Sequence, residues 1–595
     1  MKKIICDAFE KKFAYIQKIS YDKKEQLVYE NITGRNYHTA ITNGRVHRTR
    51  ENTEYAMGLL QIGAPEAIAA AENIFSKVLA LQDTDPQSNT YGIWPYLFEE
   101  PLDQMLNPDW NWASFIGRTL VMALLDYSDA LSLHLQQNMK QALRHTCISI
   151  MRRNMGVDYT NICIMSSFVI AVSGEILQNK DFVSFGLDKL RRLMEFIDQN
   201  GSICEYNSPY YGLIDLEENG RILRYARTPG LQNTAEQLNR VLWRDMAQHF
   251  HHPTGQLAPP HTRCYENILG DRLLSIFEIG TMGVWNLLEG RTLDLDLLWP
   301  LSTLVCPTEY IPQFAPLREP HEVSLQYYKG VDTIHDDEVR VLTEKGQRPI
   351  TATTWLHPAY CLGSFDRHDL WNQRRPLMAY LKNGEAVTAF RVRCMHDDMD
   401  FASAIISTAQ IKNDTVSAIG FVTDHGDYHY ILDPMQDASI TANKFSIRFE
   451  LSGCMADTSI EELDGDYIFR AGDVRARLRI LHVTFDGHPV VHSIYKTIET
   501  VGLELILQQA PDTRICFHAI RSAAVLFALH FYALGESAQM PDVQMACNST
   551  KLQGVLQHSG GQSAQTAWVN ATPDTYTDSI THETKIFKNG GFLYE

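Results

Sequence analysis

The sequence predicts a multidomain α+β protein, with an N-terminal (α/α) toroid or incomplete barrel followed by a C-terminal antiparallel β-sandwich. Before about residue 300, apolar residues recur at the spacing of helices, and after about residue 320 they alternate with polar residues, as in strands. A proline-rich stretch from Pro300 to Pro320 separates the two patterns. We therefore expect a helical domain over 1–305, a linker over 306–330 and a sandwich over 331–595.

The helical half contains several segments with apolar residues on one or more helix faces. Short Asn- and Gly-containing breaks, such as Asn200-Gly201, fit the ends of helices. Roughly ten helices joined by short loops, with no strand pattern between them, favour helical hairpins closed into a toroid. The clearest helical segments are Tyr55–Leu60, Phe115–Leu125, Cys163–Leu177, Leu190–Ile197 and Leu273–Leu288.

The second half shows strands separated by turns. Ala386–Arg393, Phe445–Leu451 and Val474–Val483 alternate apolar and polar residues. Asp-Gly turns such as Asp464-Gly465 and Asp486-Gly487 separate the strands at short intervals, which is typical of a sandwich.

Composition excludes several classes of protein. The 595 residues carry 53 Lys+Arg against 71 Asp+Glu, a net charge of −18, and no basic stripe that would bind nucleic acid. No apolar run approaches the ~18 residues of a membrane span. The eleven cysteines show no CxxC pair, so no zinc or redox centre is predicted. Asp7 interrupts the apolar stretch after Lys2-Lys3, so we expect a cytoplasmic protein that acts on imported, small substrates.

The densest aromatic and acidic stretch precedes the helix that starts near Trp110. Aromatic rings stack on sugar faces, and carboxylates and amides bind hydroxyl groups, so this stretch is typical of a sugar subsite. A packed loop with Asp109 as a helix cap is the alternative. The carboxylates are also candidates for a general acid/base pair in a hydrolase. The predicted substrate-binding residues here are Trp94, Glu99, Glu100, Asp109, Trp110 and Asn111.

Two further segments carry candidate catalytic groups. Asn161 opens an apolar helix, either as a cap or as an amide that holds a substrate carboxylate. The loop that follows Gly201 presents Glu205 and Asn207 as binding candidates, and Tyr210 and Tyr211 as catalytic candidates. A cation beside a tyrosine lowers its pKa, which would let it act as base and then as acid. Aromatic packing between helices is the alternative for these tyrosines.

A third segment contains His261, Arg263 and Tyr265, whose alternate positions would share one side of an extended loop. Arg263 could bind a carboxylate through both of its amino groups, and His261 or Tyr265 could move a proton. Solvent-exposed side chains are the alternative. The sandwich could add His357 or His368 to the cleft, and the sequence does not choose between them. Acidic turns at 396–400 and 424–429 are interpreted as hairpins rather than metal sites.

Taken together, these residues resemble the heparinase II/III and alginate-lyase type of polysaccharide lyase. Members use an Asn early in one helix, a Tyr some fifty residues later and a His further on, and Asn161, then Tyr210 or Tyr211, then His261 or His357 follow that order. The Asn-His pair of alginate-lyase-type members is absent, since Ile162 follows Asn161. The resemblance implies that Arg263 and Tyr265 substitute for it, as in some glucuronan-type lyases.

The leading hypothesis is therefore a lyase that cleaves uronate-containing oligosaccharides by β-elimination. Arg263 and Asn161 would neutralise the uronate carboxylate, and a tyrosine would act as base and acid, with no cofactor or metal. The alternative is a glycoside hydrolase with a Glu/Asp acid/base pair, and a third hypothesis is an oligosaccharide-binding protein without activity. We expect an anionic oligosaccharide as substrate and no nucleic-acid or membrane partner, and the sequence leaves homo-oligomer formation open.

Overall fold

The computed structural model describes residues 1–327, 350–425, 435, 437–548, 550–557, 564–575, 586–588 and 591–593. It confirms the predicted fold class, because helices make up the N-terminal part and antiparallel strands the C-terminal part. The helices of this part are α1 (Lys2–Ser20), α2 (Thr49–Ile62), α3 (Pro65–Leu79), α4 (Trp112–Asp126), α5 (Leu133–Arg153), α6 (Thr160–Leu177), α7 (Lys180–Asn200), α8 (Tyr211–Tyr225), α9 (Pro229–His249) and α10 (Asp271–Gly280).

The helices form an inner and an outer row. Helices α2, α4, α6 and α8 pack against one another in that order, and α3, α5, α7 and α9 each pack outside the inner helix that precedes them. The inner helices are buried on nearly every face, whereas an outer helix such as α7 buries one face only. Alternating inner and outer helices are the arrangement of an (α/α) toroid.

Helix α6 is the most apolar of the inner helices. Over 18 residues it is long and apolar enough to cross a membrane, a property it alone has among the described helices. Every residue from Thr160 to Gly174 is buried between its neighbours. Its composition is therefore explained by its central position in the ring.

Short hairpins interrupt the helical part, contrary to the expectation of helices alone. They escape sequence analysis because two to four residues are too short to show an alternating pattern. They are β1 (Tyr21–Asp22), β2 (Leu27–Val28), β3 (Glu30–Thr33), β4 (Asn43–Val46), β5 (Phe250–His251) and β6 (Gln256–Leu257).

The C-terminal part contains two large antiparallel sheets. The nine-stranded sheet has the order β20-β21-β16-β12-β11-β9-β8-β7, with β13 paired to β12, and the seven-stranded sheet has the order β10-β14-β15-β22-β19-β18-β17. Strands β23, β24 and β25 form a third sheet, and β26 pairs with β27. The strands are β7 (His321–Tyr327), β8 (Ile350–His357), β9 (Tyr360–Phe365), β10 (Arg367–Asp369), β11 (Leu377–Asn383), β12 (Ala386–His396), β13 (Met399–Asp400), β14 (Ala404–Ile411), β15 (Asp414–Phe421), β16 (Ser439–Gly453), β17 (Thr458–Leu463), β18 (Asp466–Ala471), β19 (Val474–Phe485), β20 (Val491–Lys496), β21 (Thr500–Cys516), β22 (Ala523–Ala533), β23 (Val543–Cys547), β24 (Lys551–Gln557), β25 (Ala564–Asn570), β26 (Ile586–Lys588) and β27 (Gly591–Leu593).

Aromatic side chains fill the space between the two large sheets. Phe449 of the nine-stranded sheet meets Phe527 of the seven-stranded sheet edge to face, with ring centroids 4.9 Å apart. The stretch predicted as a linker, 306–330, contains β7, the edge strand of the larger sheet. Of the acidic turns, Asp397 accepts backbone hydrogen bonds from Asn443 and Lys444, as a turn residue does, and 426–429 lie outside the described residues.

A loop between β10 and β11 joins the sandwich to the helical part. His261 and Arg375 exchange two backbone hydrogen bonds, with N···O distances of 3.2 and 2.9 Å. The backbone N–H of Cys264 donates to the carbonyl of Gln373 at 2.6 Å. These bonds fix residues 371–375 of the sandwich against residues 261–265, which is where the candidate site forms.

Candidate active site

The candidate site lies where the inner helices begin. Arg50 at the start of α2 stacks on Phe115 at the start of α4, with 4.4 Å between its Cζ and the ring centroid. At the start of α6, Asn161 contacts Glu205, which lies in the loop leading into α8. The first turns of these helices therefore face the same end of the ring. The aligned peptide dipoles of these helices give that end a positive potential, which favours an anionic ligand.

Arg263 is the centre of the site. Its Nη1 donates to Oε1 of Glu205 at 3.3 Å, and its Nη2 donates to the Tyr265 hydroxyl at 3.3 Å. Its Cζ lies 4.1 Å from the centroid of the Tyr211 ring, so the guanidinium stacks on that ring. The structure thus brings together Arg263, Glu205, Tyr211 and Tyr265 from two separate loops.

The sandwich also holds Arg263. Oε1 of Gln373 accepts hydrogen bonds from Nε at 3.1 Å and from Nη2 at 2.9 Å. The Trp371 ring lies on the guanidinium as well, with its centroid 5.5 Å from Cζ. Gln373 and Trp371 belong to the segment Trp371 to Arg375, in which every residue is polar or aromatic. Their contact with Arg263 depends on how two domains pack, and sequence pattern does not report that.

Hydrogen bonds between the two loops hold the site in place. The Ser208 hydroxyl donates to the carbonyl of Arg263 at 2.6 Å, and the Thr262 hydroxyl donates to the carbonyl of Tyr206 at 2.7 Å. Ser208 Oγ also accepts from the backbone N–H of Tyr211 at the start of α8. Loop 205–211 and loop 261–265 therefore form one unit, and their side chains face a common space.

Three tyrosines surround the open side of Arg263. The hydroxyls of Tyr211 and Tyr265 lie 2.5 Å apart, and the rings of Tyr210 and Tyr265 meet edge to face at 5.1 Å. Tyr210 and Tyr265 are each 48% exposed, so both are accessible to a ligand. Burial raises the pKa of Tyr211, and the opposing effect of Arg263 is smaller. The lowered tyrosine pKa that the sequence suggested is therefore wrong for Tyr211, which is a hydrogen-bond donor at neutral pH.

Glu205 and Asn161 form the floor of the site. Oε2 of Glu205 accepts from the backbone N–H of Asn161 at 2.9 Å and from its Nδ2 at 2.7 Å. Burial raises the pKa of Glu205, although Arg263 and Asn161 oppose this effect. Because Asn161 is only 2% exposed, it positions Glu205 and does not offer its amide to a ligand.

Tyr159 connects the aromatic and acidic stretch to this cluster, and sequence analysis assigned it no role. Its pKa is raised to about 12, chiefly by burial, with a smaller rise from Glu205, Asp109 and Tyr265 that Arg263 opposes. Asp109 therefore lies close to the site. Its Oδ1 accepts from the backbone N–H of Asn111 at 2.8 Å, which is a turn contact, and the helix cap considered as the alternative is wrong because Asn111 is the N-cap of α4.

Trp110 and Asn111 directly follow Asp109 in the chain. Trp110 donates its indole N–H to the carbonyl of Asn89 at 2.9 Å, and its ring carries the Arg153 guanidinium at 5.1 Å. Asn111 is the residue before α4, and both residues are partly exposed. They remain predicted substrate contacts.

Three other predicted residues of this stretch have structural contacts. Trp94 is fully buried and donates its indole N–H to the carbonyl of Val78 at 2.9 Å. Glu99 binds the ring Nδ1 of His47 at 2.5 Å, and Glu100 accepts from the backbone N–H of Ala40 at 2.9 Å. Glu99 and Glu100 hold residues 40–47 against the ring, and Trp94 bonds to α3, so all three are corrected from substrate contacts to structural ones.

His261 and Asn207 also have structural positions. His261 is fully buried, its Nδ1 lies 2.8 Å from the Asn207 carbonyl, and burial lowers its pKa to about 3. It does not share a side with Arg263, because the loop is not a regular strand. Nδ2 of Asn207 donates to the carbonyls of Ala258 and Pro260, both at 2.8 Å.

The two candidate histidines of the sandwich do not reach the cluster. His357 contacts Glu536 at 3.0 Å through Nε2 and stacks on Tyr360. His368 is fully buried, and its ring lies 5.3 Å from that of Phe365 in a tilted arrangement. The sequence left open whether His357 or His368 enters the cleft, and the contacts of both lie elsewhere.

Comparisons with known proteins add the following. A family model described as "Domain of unknown function (DUF8769)" matches residues 9–292. No curated protein matches the chain. Similar solved structures include a Streptomyces coelicolor A3 chondroitin AC lyase in complex with chondroitin sulphate, with 10% identity, a TM-score of 0.47, and coverage of 86% of this chain and 79% of that chain.

A Paenibacillus xanthan lyase is also similar, with 10% identity, a TM-score of 0.41, and coverage of 85% of this chain and 56% of that chain. A chondroitinase AC lyase has 9% identity, a TM-score of 0.37, and coverage of 87% and 80%. At this identity and these TM-scores, the three structures assign no activity to this chain. The more specific heparinase and alginate-lyase resemblance stays a prediction.

Proposed function

We propose that this chain is a carbohydrate lyase that cleaves uronate-containing oligosaccharides by β-elimination. The observation that carries the proposal is the contact between Arg263 and the accessible Tyr265, whose hydroxyl lies 3.3 Å from Nη2. A cation and a proton-transferring hydroxyl side by side are what removal of a proton next to a carboxylate requires.

In this proposal Arg263 binds the uronate carboxylate. Its contacts with Glu205 and Tyr265 are both 3.3 Å long, and hydrogen bonds of that length are weak. A substrate carboxylate can replace them, while the two shorter bonds to Gln373 keep the guanidinium in place. Binding at Arg263 spreads the charge of the carboxylate and makes the neighbouring carbon acid stronger.

The tyrosines then move the proton. Tyr265 takes the proton from the carbon next to the carboxylate, the electron pair of that C–H bond forms a double bond, and the glycosidic C–O bond breaks. At the same time Tyr265 gives its original hydroxyl proton to the leaving oxygen, so the hydroxyl pair that it forms with Tyr211, 2.5 Å away, ends with the protons it began with. The products are an unsaturated uronate and a free hydroxyl group, and no water is consumed.

The alternative function, a glycoside hydrolase, needs two carboxyl groups that face the same space. Glu99 and Glu100 are bonded to His47 and to the backbone of Ala40, and Glu205 is bonded to Asn161 and Arg263. No described contact pairs two of the candidate carboxylates across an open space. A cytoplasmic location remains part of the proposal, and cell fractionation tests it.

The test is incubation with a panel of uronate-containing and neutral oligosaccharides, followed by near-ultraviolet absorbance and product mass. We expect conjugated uronate products without added water, and loss of activity in Tyr265→Phe and Arg263→Ala. Glu66→Gln, at an exposed position on α3, is the matched control. Products that carry added water would establish a hydrolase, and binding without any product would establish a binding protein.

A further inference from the structure

Tyr210 has no role in the elimination described above, although its ring belongs to the same cluster. This ring meets that of Tyr265 edge to face, with centroids 5.1 Å apart and an interplanar angle of 78°. It meets the ring of Tyr211 in the same way, at 5.6 Å and 70°. Edge-to-face pairs of aromatic rings attract each other beyond the effect of burial alone. Tyr210 therefore contacts both members of the hydroxyl pair through their rings.

The hydroxyl of Tyr210 lies outside the hydrogen bonds that would move the proton. Tyr211 and Tyr265 bond to each other through their hydroxyls, and Arg263 donates to the hydroxyl of Tyr265. Within the described part of the chain, no hydrogen bond joins the Tyr210 hydroxyl to another residue. A group that passes a proton to the pair would need such a bond. The ring of Tyr210, and not its hydroxyl, is therefore the part that acts on the pair.

Tyr265 depends on its neighbours for its position. It lies in a loop, outside the helices and strands, and about half of the residue is exposed. Its hydroxyl contacts with Tyr211 and Arg263 must both change when the hydroxyl takes one proton and gives up another. These contacts therefore do not hold the ring throughout the reaction. The contact with Tyr210 does not involve the hydroxyl, so it persists while the hydrogen bonds change.

Tyr210 itself is fixed by the start of α8. Pro209 precedes it, and the proline ring restricts the backbone at that position. Tyr210 is the N-cap residue of the helix, and the backbone N–H of Gly212 donates across it to the carbonyl of Ser208 at 2.9 Å. Side chains carried by helices and strands keep their positions more precisely than side chains on loops. A ring fixed at the end of a helix thus supports a ring from a loop.

We propose that Tyr210 is a positioning residue, whose ring keeps the Tyr265 hydroxyl beside Arg263 during elimination and whose hydroxyl transfers no proton. The reaction in which it acts rests on the proposed function. The packing of Tyr210 on Tyr265 does not, because the two rings are in contact whether or not elimination takes place. The two proposals can therefore be tested separately.

The first test compares Tyr210→Ala and Tyr210→Phe with the wild type in the absorbance assay on a uronate oligosaccharide. Tyr210→Ala should lower kcat about tenfold with KM within about twofold, because the loss of two ring contacts lets the Tyr265 ring turn away from Arg263. Tyr210→Phe keeps the ring, so it should restore kcat and its wild-type dependence on pH. Tyr15→Ala removes an exposed tyrosine from α1 and is the matched control. Thermal unfolding checks that the variants fold.

A crystal structure of Tyr210→Ala tests the packing independently of activity. We expect the Tyr265 hydroxyl to lose its contact with Tyr211, with Arg263 or with both. A Tyr265 hydroxyl that keeps both contacts, an unchanged kcat in Tyr210→Ala, or a Tyr210→Phe variant as impaired as Tyr265→Phe would overturn the proposal. If the wild-type chain eliminates no uronate while Tyr265 moves in the crystal structure, the proposed function is wrong and the support of Tyr265 by Tyr210 stands.

Discussion

Replacing Gln373 with alanine should lower kcat/KM on a uronate substrate by about ten- to one-hundredfold without unfolding the protein. Gln373 accepts two hydrogen bonds from Arg263, at 3.1 and 2.9 Å. A hydrogen bond to a charged group contributes about 1.5–3 kcal/mol. Because the Arg263 side chain is 23% exposed, water replaces part of what is lost. We therefore count the free energy of one of the two hydrogen bonds. Because each 1.4 kcal/mol corresponds to a factor of ten in rate, this gives the expected range.

The loop itself should survive this substitution. The backbone carbonyl of Gln373 accepts from Cys264, and Arg375 bonds to His261, and neither contact needs the Gln373 side chain. Initial rates from the absorbance assay, with thermal unfolding as a check on folding, measure the effect. Gln539→Ala, at an exposed position of the sandwich, is the control. An unchanged kcat/KM in Gln373→Ala, together with inactivity of Arg263→Ala, would refute the idea that the sandwich positions Arg263.

Three further predictions concern catalysis and stability. Tyr265→Phe should reduce kcat at least one-hundredfold with little change in KM, since general acid–base catalysis contributes about 10²–10⁴-fold; steady-state kinetics test this. Burial, Glu205 and Glu218 raise the pKa of Asp215, so its folded state loses stability as pH rises from the unfolded pKa of about 3.8 through the raised value. Asp215→Asn should therefore raise Tm at pH 8 more than at pH 4, and equal shifts would contradict this. Arg118→Ala should cost about 3–5 kcal/mol in urea denaturation, because Arg118 lies buried between Glu54 and Glu218 at 2.6 and 2.5 Å.

The spacing of apolar residues along the sequence predicts much of this fold, because it reflects directly which residues are buried. Segments such as Cys163–Leu177 and Ala386–Arg393 lie in α6 and β12, where their patterns placed a helix and a strand. The six short strands of the helical part were missed because they are stabilised by contacts too few to leave a pattern. The edge strand β7 was missed for a different reason, since its proline-rich approach masks it.

The candidate site was predictable only where its parts are close in sequence. Tyr210 and Tyr211, and Arg263 and Tyr265, stood out as short clusters, and the structure brings these clusters together. Gln373 could not be assigned, because its role arises from packing between domains.

Trp94 and His261 were predicted as site residues, and this prediction was wrong. They have the residue types of a binding site, but both are fully buried and bond to backbone groups. Residue type alone does not distinguish a buried polar contact from an accessible one.

The most direct test of the account is cleavage of a uronate oligosaccharide in oxygen-18-labelled water, with the products analysed by mass spectrometry. Elimination at Arg263 and Tyr265 predicts products whose masses sum to that of the substrate, one of them unsaturated, with no label from the solvent. Incorporation of one labelled oxygen at the new reducing end, with no unsaturated product, would contradict the lyase and show that the chain hydrolyses its substrate.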